Sequence, residues 1–393
     1  MHPAYIALGA LLMSSTILFS CTKSANNNSI NDDTVNEPSP LAHNYGLLPT
    51  QPEQWATVPV FSRSVLTGGR SENGLSAASL PSSYLLASPA VRDQGQIGSC
   101  TGFCGVETNE ILYYYQTNSA TTTGLTAATG LSQAVNTQLV NSPLFGSSSA
   151  LSPLFVYYVE RCVINKQSIS TDNGAYIVNI AQALQGLSNN SGTGAALTLS
   201  ISGTKYSFAG DCYEDLYPYP SNGSSTSTQF RTPPSSAAIS NATNFTVSAQ
   251  AGTTGSAGST THGYYVINSN DVVADAKTAI ANNKPVMMGF NVYDNSRYQY
   301  FEGLGIAGYA PNNYTYNPLT SNGSLAKGLR LLGGHAVPLI GYIDDASQPG
   351  GGVFICENSW NTNWGYKGYF YMPYSVLKST KIVAPGNLYV AII

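Results

Sequence analysis

Residues 94–116 read QGQIGSCTGFCGVETNEILYYYQ. A glycine-rich loop gives way at Cys100 to a run in which Phe103, Val106, Ile111 and Tyr114 recur on one face at helical spacing. Gly102 and Gly105 each cost such a helix about 1 kcal/mol relative to alanine, so its stability must come from burial. The spacing therefore predicts a central helix with a cysteine at its head. A cysteine is a strong nucleophile only as thiolate, and a helix N-terminus and a nearby imidazolium both favour that form. The preceding loop adds glycines that let backbone approach a substrate, and in Gln94 an amide able to donate to a developing oxyanion. Taken alone, Cys100 reads equally as a small buried hydrophobe.

Working outward, helical segments are expected over Ser152 to about Cys162, Ala175 to about Leu187 and Asp271 to Asn282. Strands are expected over Pro285 to Val292, Ala336 to Tyr342, Gly352 to Glu357, Gly368 to Met372 and Leu388 to Ile392. Helices early and strands late predict an α+β protein, a helical half against an antiparallel sheet half, with a cleft between them for a site.

A base for Cys100 has four histidines to come from: His2, His43, His262 and His335. Only His335 falls in the strand-rich half, after Gly333 and Gly334, where a strand start would display its ring. Asn358 can accept a hydrogen bond from one ring nitrogen and fix the tautomer without neutralising the pair. Trp360 is placed to shield that bond from water. The bland reading of the run from Glu357 to Tyr369 is an aromatic-capped hairpin.

Three motifs now stand in order: Gln94-Gly95 with Gly98-Ser99-Cys100, then Gly334-His335-Ala336, then Asn358-Ser359-Trp360 with Trp364-Gly365. Together they resemble the papain family of cysteine peptidases, bacterial type, over Leu80 to about Ile393. The resemblance implies a two-lobed papain-like fold and a hydrolase with Cys100, His335, Asn358 and oxyanion-hole Gln94 as catalytic residues. It implies substrate binding by Gly98, Ser99, Asn173, Gly174, Gly334 and Trp360, with a peptide or protein as partner and no cofactor. Thr101 stands where an aromatic usually follows the nucleophile, and Ile97 where a bridging cysteine is usual. The Cys100 to His335 separation exceeds the family's ~130 to 150 residues, matching a Ser/Thr/Gly-rich insertion at about 189–261. Two other readings keep the cleft: an acyl transferase passing the acyl group to an amine, and a silent peptide-binding module.

Composition narrows the partners. Charged residues make up 9% of the 393-residue chain, against roughly 25% in an average globular protein. With a formal charge of -4 and no Lys/Arg run, nucleic acid is excluded. The apolar stretch from Ala4 to Phe19 reads as an export signal spanning 1–20, too short for a membrane span of ~20 residues. Its end resembles a bacterial lipobox, which makes Cys21 a lipidated N-terminus and the only membrane link. The expected location is the bacterial cell envelope, or secretion if Cys21 is not lipidated.

Residues 21–79 read as a polar tether or short pro-segment, with a hydrophobic patch at Trp55, Val58, Val60 and Phe61. No long helical inhibitory propeptide is visible there. A monomer is expected. Cys162 and Cys212 form a candidate bridge between the insertion and the helical half, worth about 2 to 4 kcal/mol. Cys104 and Cys356 read as buried thiols, and no spacing suggests a metal.

Overall fold

Among the described residues most helices lie early in the chain and most strands late, as the patterning predicts. The computed structural model describes residues 43–67, 80–119, 121–139, 150–189, 194–247, 263–295, 300–305 and 314–392. The expected export signal, Cys21 and His262 lie outside these residues, as do parts of the expected tether and insertion.

The first half contains α1 (Pro52–Trp55), β1 (Ser83–Leu86), α2 (Cys100–Thr117), β2 (Thr121–Thr122), α3 (Gly130–Asn136) and α4 (Pro153–Tyr158). A π-helical turn over Val159–Ile164 continues α4, and α5 (Ile177–Gln185) follows. The insertion contributes the hairpin β3 (Leu197–Ile201) and β4 (Thr204–Phe208) and the helix α6 (Ser236–Ala242). The second half runs β5 (Gly263–Val266), α7 (Val272–Ala281), β6 (Val286–Asp294), β7 (Arg330–Asp344), β8 (Gly352–Glu357), β9 (Tyr369–Pro373), α8 (Tyr374–Leu377) and β10 (Leu388–Ile392). Side chains close several helix ends: Ser152 accepts from the Phe155 amide and Asp271 from the Ala274 amide.

One antiparallel sheet has the order β2-β1-β7-β6-β10-β5, and β8 joins β7 to β9. β7 is its spine, and in its register with β6 His335 faces Phe290 and Gly334 faces Asn291. β7 begins at Arg330, so His335 sits inside the strand and not at its start as expected. Cross-strand bonds to β6 hold residues 330–334 extended although they lack an apolar alternation.

Two apolar cores result, one on the sheet and one among α2, α4, α5 and the insertion. Helix α2 serves both, with Ile111 and Tyr115 in the sheet core and Cys104, Val106 and Leu112 in the helical core. Every residue from Cys100 to Leu112 is buried, so the helix is covered all round, where the spacing had suggested one apolar face. Its two glycines admit neighbours: a Cβ on Gly102 would stand 2.6 Å from the Pro153 carbonyl oxygen, and one on Gly105 2.6 Å from the Ile180 side chain. The helix-propensity cost is thus offset by close packing of α4 and α5.

Residues 43–67 pack on this body. Val58 and Phe61 are buried, Val60 pairs with Val266, and Arg63 bonds Asp275 at 3.0 Å. Cys162 and Cys212 are not bonded to one another; both are buried free thiols that interact with the Tyr217 hydroxyl. The bridge expected from sequence is absent, and Ser152 joins the two regions instead, its amide donating to the Cys212 carbonyl at 2.9 Å. Cys104 and Cys356 are buried thiols.

Candidate active site

The loop ahead of α2 is pinned at each step. The Gln94 amide donates to the Ser359 carbonyl at 2.8 Å, and the Gly98 amide reaches both Asp172 carboxylate oxygens at 3.1 and 3.2 Å. Tyr219 donates to the Gln94 carbonyl at 3.0 Å and accepts from the Ser99 hydroxyl at 2.6 Å. These bonds fix where the helix begins, and so where the sulfur of Cys100 lies. The amide N–H groups of Gly46, Ala336 and Thr101 face that sulfur.

His335 is clamped by aromatic rings: Trp360 at 5.0 Å, Phe290 at 5.7 Å and Phe301 at 5.8 Å. Its Nε2 lies 2.7 Å from Asn358 Oδ1, which also accepts from the Ser359 amide at 2.9 Å. An acceptor oxygen there places the ring proton on Nε2. Nδ1 is then the basic nitrogen, buried and with no hydrogen-bond partner among the described residues. Gln94 is oriented likewise: its Oε1 accepts from the Ser359 hydroxyl at 2.7 Å, which turns its amide nitrogen toward the Ile97 carbonyl at 2.9 Å and the Asn44 carbonyl at 3.2 Å.

Asn44 belongs to the chain's own N-terminal segment, and that segment lies in the cleft. His43 stacks on Trp360 at 4.2 Å, and Tyr45 meets the His335 ring edge-on at 6.3 Å while its hydroxyl donates to Glu302 at 2.6 Å. The Ala175 amide donates to the Gly46 carbonyl at 2.9 Å, the Leu47 amide to the Gly334 carbonyl at 3.1 Å, and the Leu48 amide to the Ala175 carbonyl at 2.9 Å. The Leu47 side chain rests against Gly289 and Ile177. Cys100, His335, Asn358 and Gln94 are all fully buried.

Of the residues expected to bind substrate, Gly98, Gly334 and Trp360 touch this segment, and Gly174 lies against the Gly46 carbonyl. Asn173 is exposed; the backbone bonds come from Ala175, which the sequence reading passed over. Ser99 contacts Tyr219 and supports the loop from behind. Ser359, Phe290, Phe301 and residues 43–48 were also missed. A Ser next to the motif Asn was the one available signal, since only the folded chain brings it to Gln94.

Covering the cleft changes the charges. Loss of solvent pushes the Cys100 thiol up to about 12, against the pull of the amides around it. The same desolvation lowers His335 to about 4, against the Asn358 bond. With the segment seated, desolvation disfavours both charged forms, the thiolate and the imidazolium.

Carboxyls buried behind the site shift the opposite way. Desolvation raises Glu160 and Glu357 to about 8 and Glu107 well above the usual range. Each holds a proton in the folded chain that the unfolded chain releases near pH 4.3. Their contribution is therefore full below that value and is lost as pH rises through about 8. His335 has the reverse sign: its contribution is present above about 6.5 and lost as pH falls toward 4. Three carboxyls outweigh one imidazole, so calorimetry should show Tm falling by roughly 5 °C or more from pH 5 to pH 8. A Tm that rises over that range would mean these carboxyls are ionised in the fold.

Among the described residues no group of three or more His, Cys, Asp or Glu could hold a metal ion, and no helix is long and apolar enough to cross a membrane.

Comparisons with known proteins bear on this arrangement. The model for papain family cysteine protease matches residues 202–384, which include His335 and Asn358 but neither Gln94 nor Cys100. Xylellain, a cysteine protease from Xylella fastidiosa, is similar in fold, with a TM-score of 0.56 and 22% identity, covering 89% of this chain and 96% of that one. An uncharacterised peptidase C1-like protein of Acanthamoeba polyphaga mimivirus is 30% identical over 119 residues, 30% of either chain. Cathepsin B-like cysteine proteinase 5 of Caenorhabditis elegans is 34% identical over 98 residues, 25% of this chain and 22% of that one. The chain thus spans less than a third of the length of these two relatives.

Proposed function

We propose that this chain, which carries a papain-family cysteine peptidase domain in a two-lobed papain-like fold, hydrolyses peptide bonds with Cys100 as nucleophile and is latent while residues 43–48 fill its cleft. The observation that carries the reading is the 2.7 Å bond from His335 to Asn358, which leaves Nδ1 unpartnered at the strand position next to Ala336, whose amide faces the Cys100 sulfur.

Once the segment leaves, water returns to the site and Cys100 can transfer its proton to His335 Nδ1. The thiolate then attacks a substrate carbonyl carbon. The oxygen that gains charge is met by the Gln94 side-chain amide and by the Cys100 backbone N–H, one of the first-turn amides that lack an intrahelical acceptor. Collapse of the tetrahedral adduct breaks the C–N bond as His335 returns its proton to the leaving amine. Water, deprotonated by His335, next attacks the thioester, and the thiolate leaves. Asn358 keeps the ring in one tautomer throughout, and Trp360 keeps water off that bond. The pocket that holds Leu47, between Ile177 and Gly289, supports a preference for a medium-sized apolar substrate side chain there. The leader of residues 1–20, followed by Cys21, fits an exported, lipid-anchored peptidase of a bacterial envelope.

The test combines a thiol-directed epoxide with a peptide library. Covalent mass should appear on Cys100, and cleavage products should carry Leu-like residues at one fixed position from the cut. Products joined to an added amine would indicate acyl transfer. An unlabelled Cys100 in protein whose segment has been displaced would leave a peptide-binding module as the better reading.

A further inference from the structure

Bonded to Thr101, the residue after Cys100, lies a carboxyl that the mechanism above does not use. Glu160 is fully buried in the π-helical turn that continues α4. Such a turn shifts the phase of a helix by about one residue and recurs at functional sites. One Glu160 oxygen accepts from the Thr101 hydroxyl at 2.6 Å; the other is buried with no hydrogen-bond partner among the described residues. Thr101 directly follows the nucleophile, and its amide is one of the three facing the sulfur.

The neighbouring cation does not neutralise this carboxyl by pairing. Arg161 donates to the Ile169 and Thr171 carbonyls and lies over the Tyr157 and Phe230 rings. The titratable or charged groups that interact with Glu160 are Cys100 and Cys104 on α2, Tyr157 on α4 and Arg161 in its own turn. Negative charge on Glu160 works against negative charge on Cys100, with little solvent between to screen it.

We propose that Glu160, held by Thr101, is a positioning residue that acts through Cys100, setting the pH at which the nucleophile ionises by opposing the thiolate whenever its own carboxyl is charged. This rests on Cys100 being the nucleophile. An isosteric amide at 160 keeps an acceptor for Thr101 and removes the charge. Removal of the Thr101 hydroxyl takes away a bond that favours the carboxylate, and so acts in the same direction more weakly.

The experiment is the rate of Cys100 alkylation by iodoacetamide in the full chain from pH 4 to 10, with the adduct assigned by peptide mass. The covering segment is common to every variant, so differences in midpoint between variants report the change in ionisation at Cys100. In Glu160→Gln the midpoint should fall by at least about 0.5 pH unit, the two profiles separating above about pH 8, where the parent carboxyl is charged. Thr101→Val should shift it the same way by less, which keeps the test decisive if Glu160→Gln does not fold. A merely structural role would change Tm and leave the midpoint in place. Coincident or raised midpoints, in a chain whose labelling still depends on His335, overturn the role of Glu160 alone. Labelling of Cys100 that ignores His335→Ala overturns this proposal and the peptidase reading together.

Discussion

Alanine at His335 should lower kcat/KM by about ten-thousandfold or more, as removal of a group that acts in concert with its nucleophile does elsewhere. The basic nitrogen of the ring is held in reserve for the chemistry, since Nδ1 is buried and without a partner among the described residues, while Nε2 is committed to Asn358. His43, the other histidine among the described residues, is stacked on Trp360 within the covering segment itself. The substitution also leaves a cavity among Trp360, Phe290 and Phe301, which costs roughly 2 to 4 kcal/mol of stability. Loss of activity by unfolding must therefore be separated from loss of the base. Added imidazole makes that separation, since a folded enzyme lacking only its base should recover part of its rate as imidazole rises. Activity within tenfold of the parent in His335→Ala would remove the ring from the chemistry.

The opposite result is expected at Gly46. A Cβ there would overlap the Gly98 carbonyl, and both partners in the clash are backbone, so no rotamer change relieves it. Overpacking of this kind costs about 1 to 3 kcal/mol or more. What it destabilises is the seated segment alone, because Gly46 touches the loop before Cys100 and the turn at Gly174 and contributes to neither core. Gly46→Ala should thus raise peptidase activity of the full chain by at least about tenfold, equivalent to some 1.4 kcal/mol in the closed-to-open balance. The same variant should be labelled faster at Cys100 and with a lower pH midpoint, because desolvation under the seated segment is what disfavours the thiolate. Unchanged activity would show that the segment already leaves freely.

The candidate catalytic residues were legible because the chemistry admits few residue types and the chain offers few of them. A base had to be a histidine, and three of the four stood in the expected leader, in the tether or beside the insertion. The carboxamide stood out through its flanking tryptophans. The α+β order was legible in the switch from helical to strand spacing. The cover over the site was not. Residues 43–48 lie in polar, proline-punctuated sequence, and their hold on the cleft is mostly main-chain bonding to Ala175 and Gly334, which leaves no trace in side-chain pattern. For the same reason the N-terminal third of β7 was taken for loop: Gly333 and Gly334 are extended because β6 pairs with them. The link from Thr101 to Glu160 joins residues 59 positions apart in different helices, beyond the reach of any local rule.

The seated segment precedes Cys100 in the chain, so a ribosome finishes the stopper before it makes the blade. On the proposed function, a newly synthesised copy is latent as soon as it folds. Abundance of the polypeptide then says little about degradative capacity, which is governed by whatever event dislodges six residues.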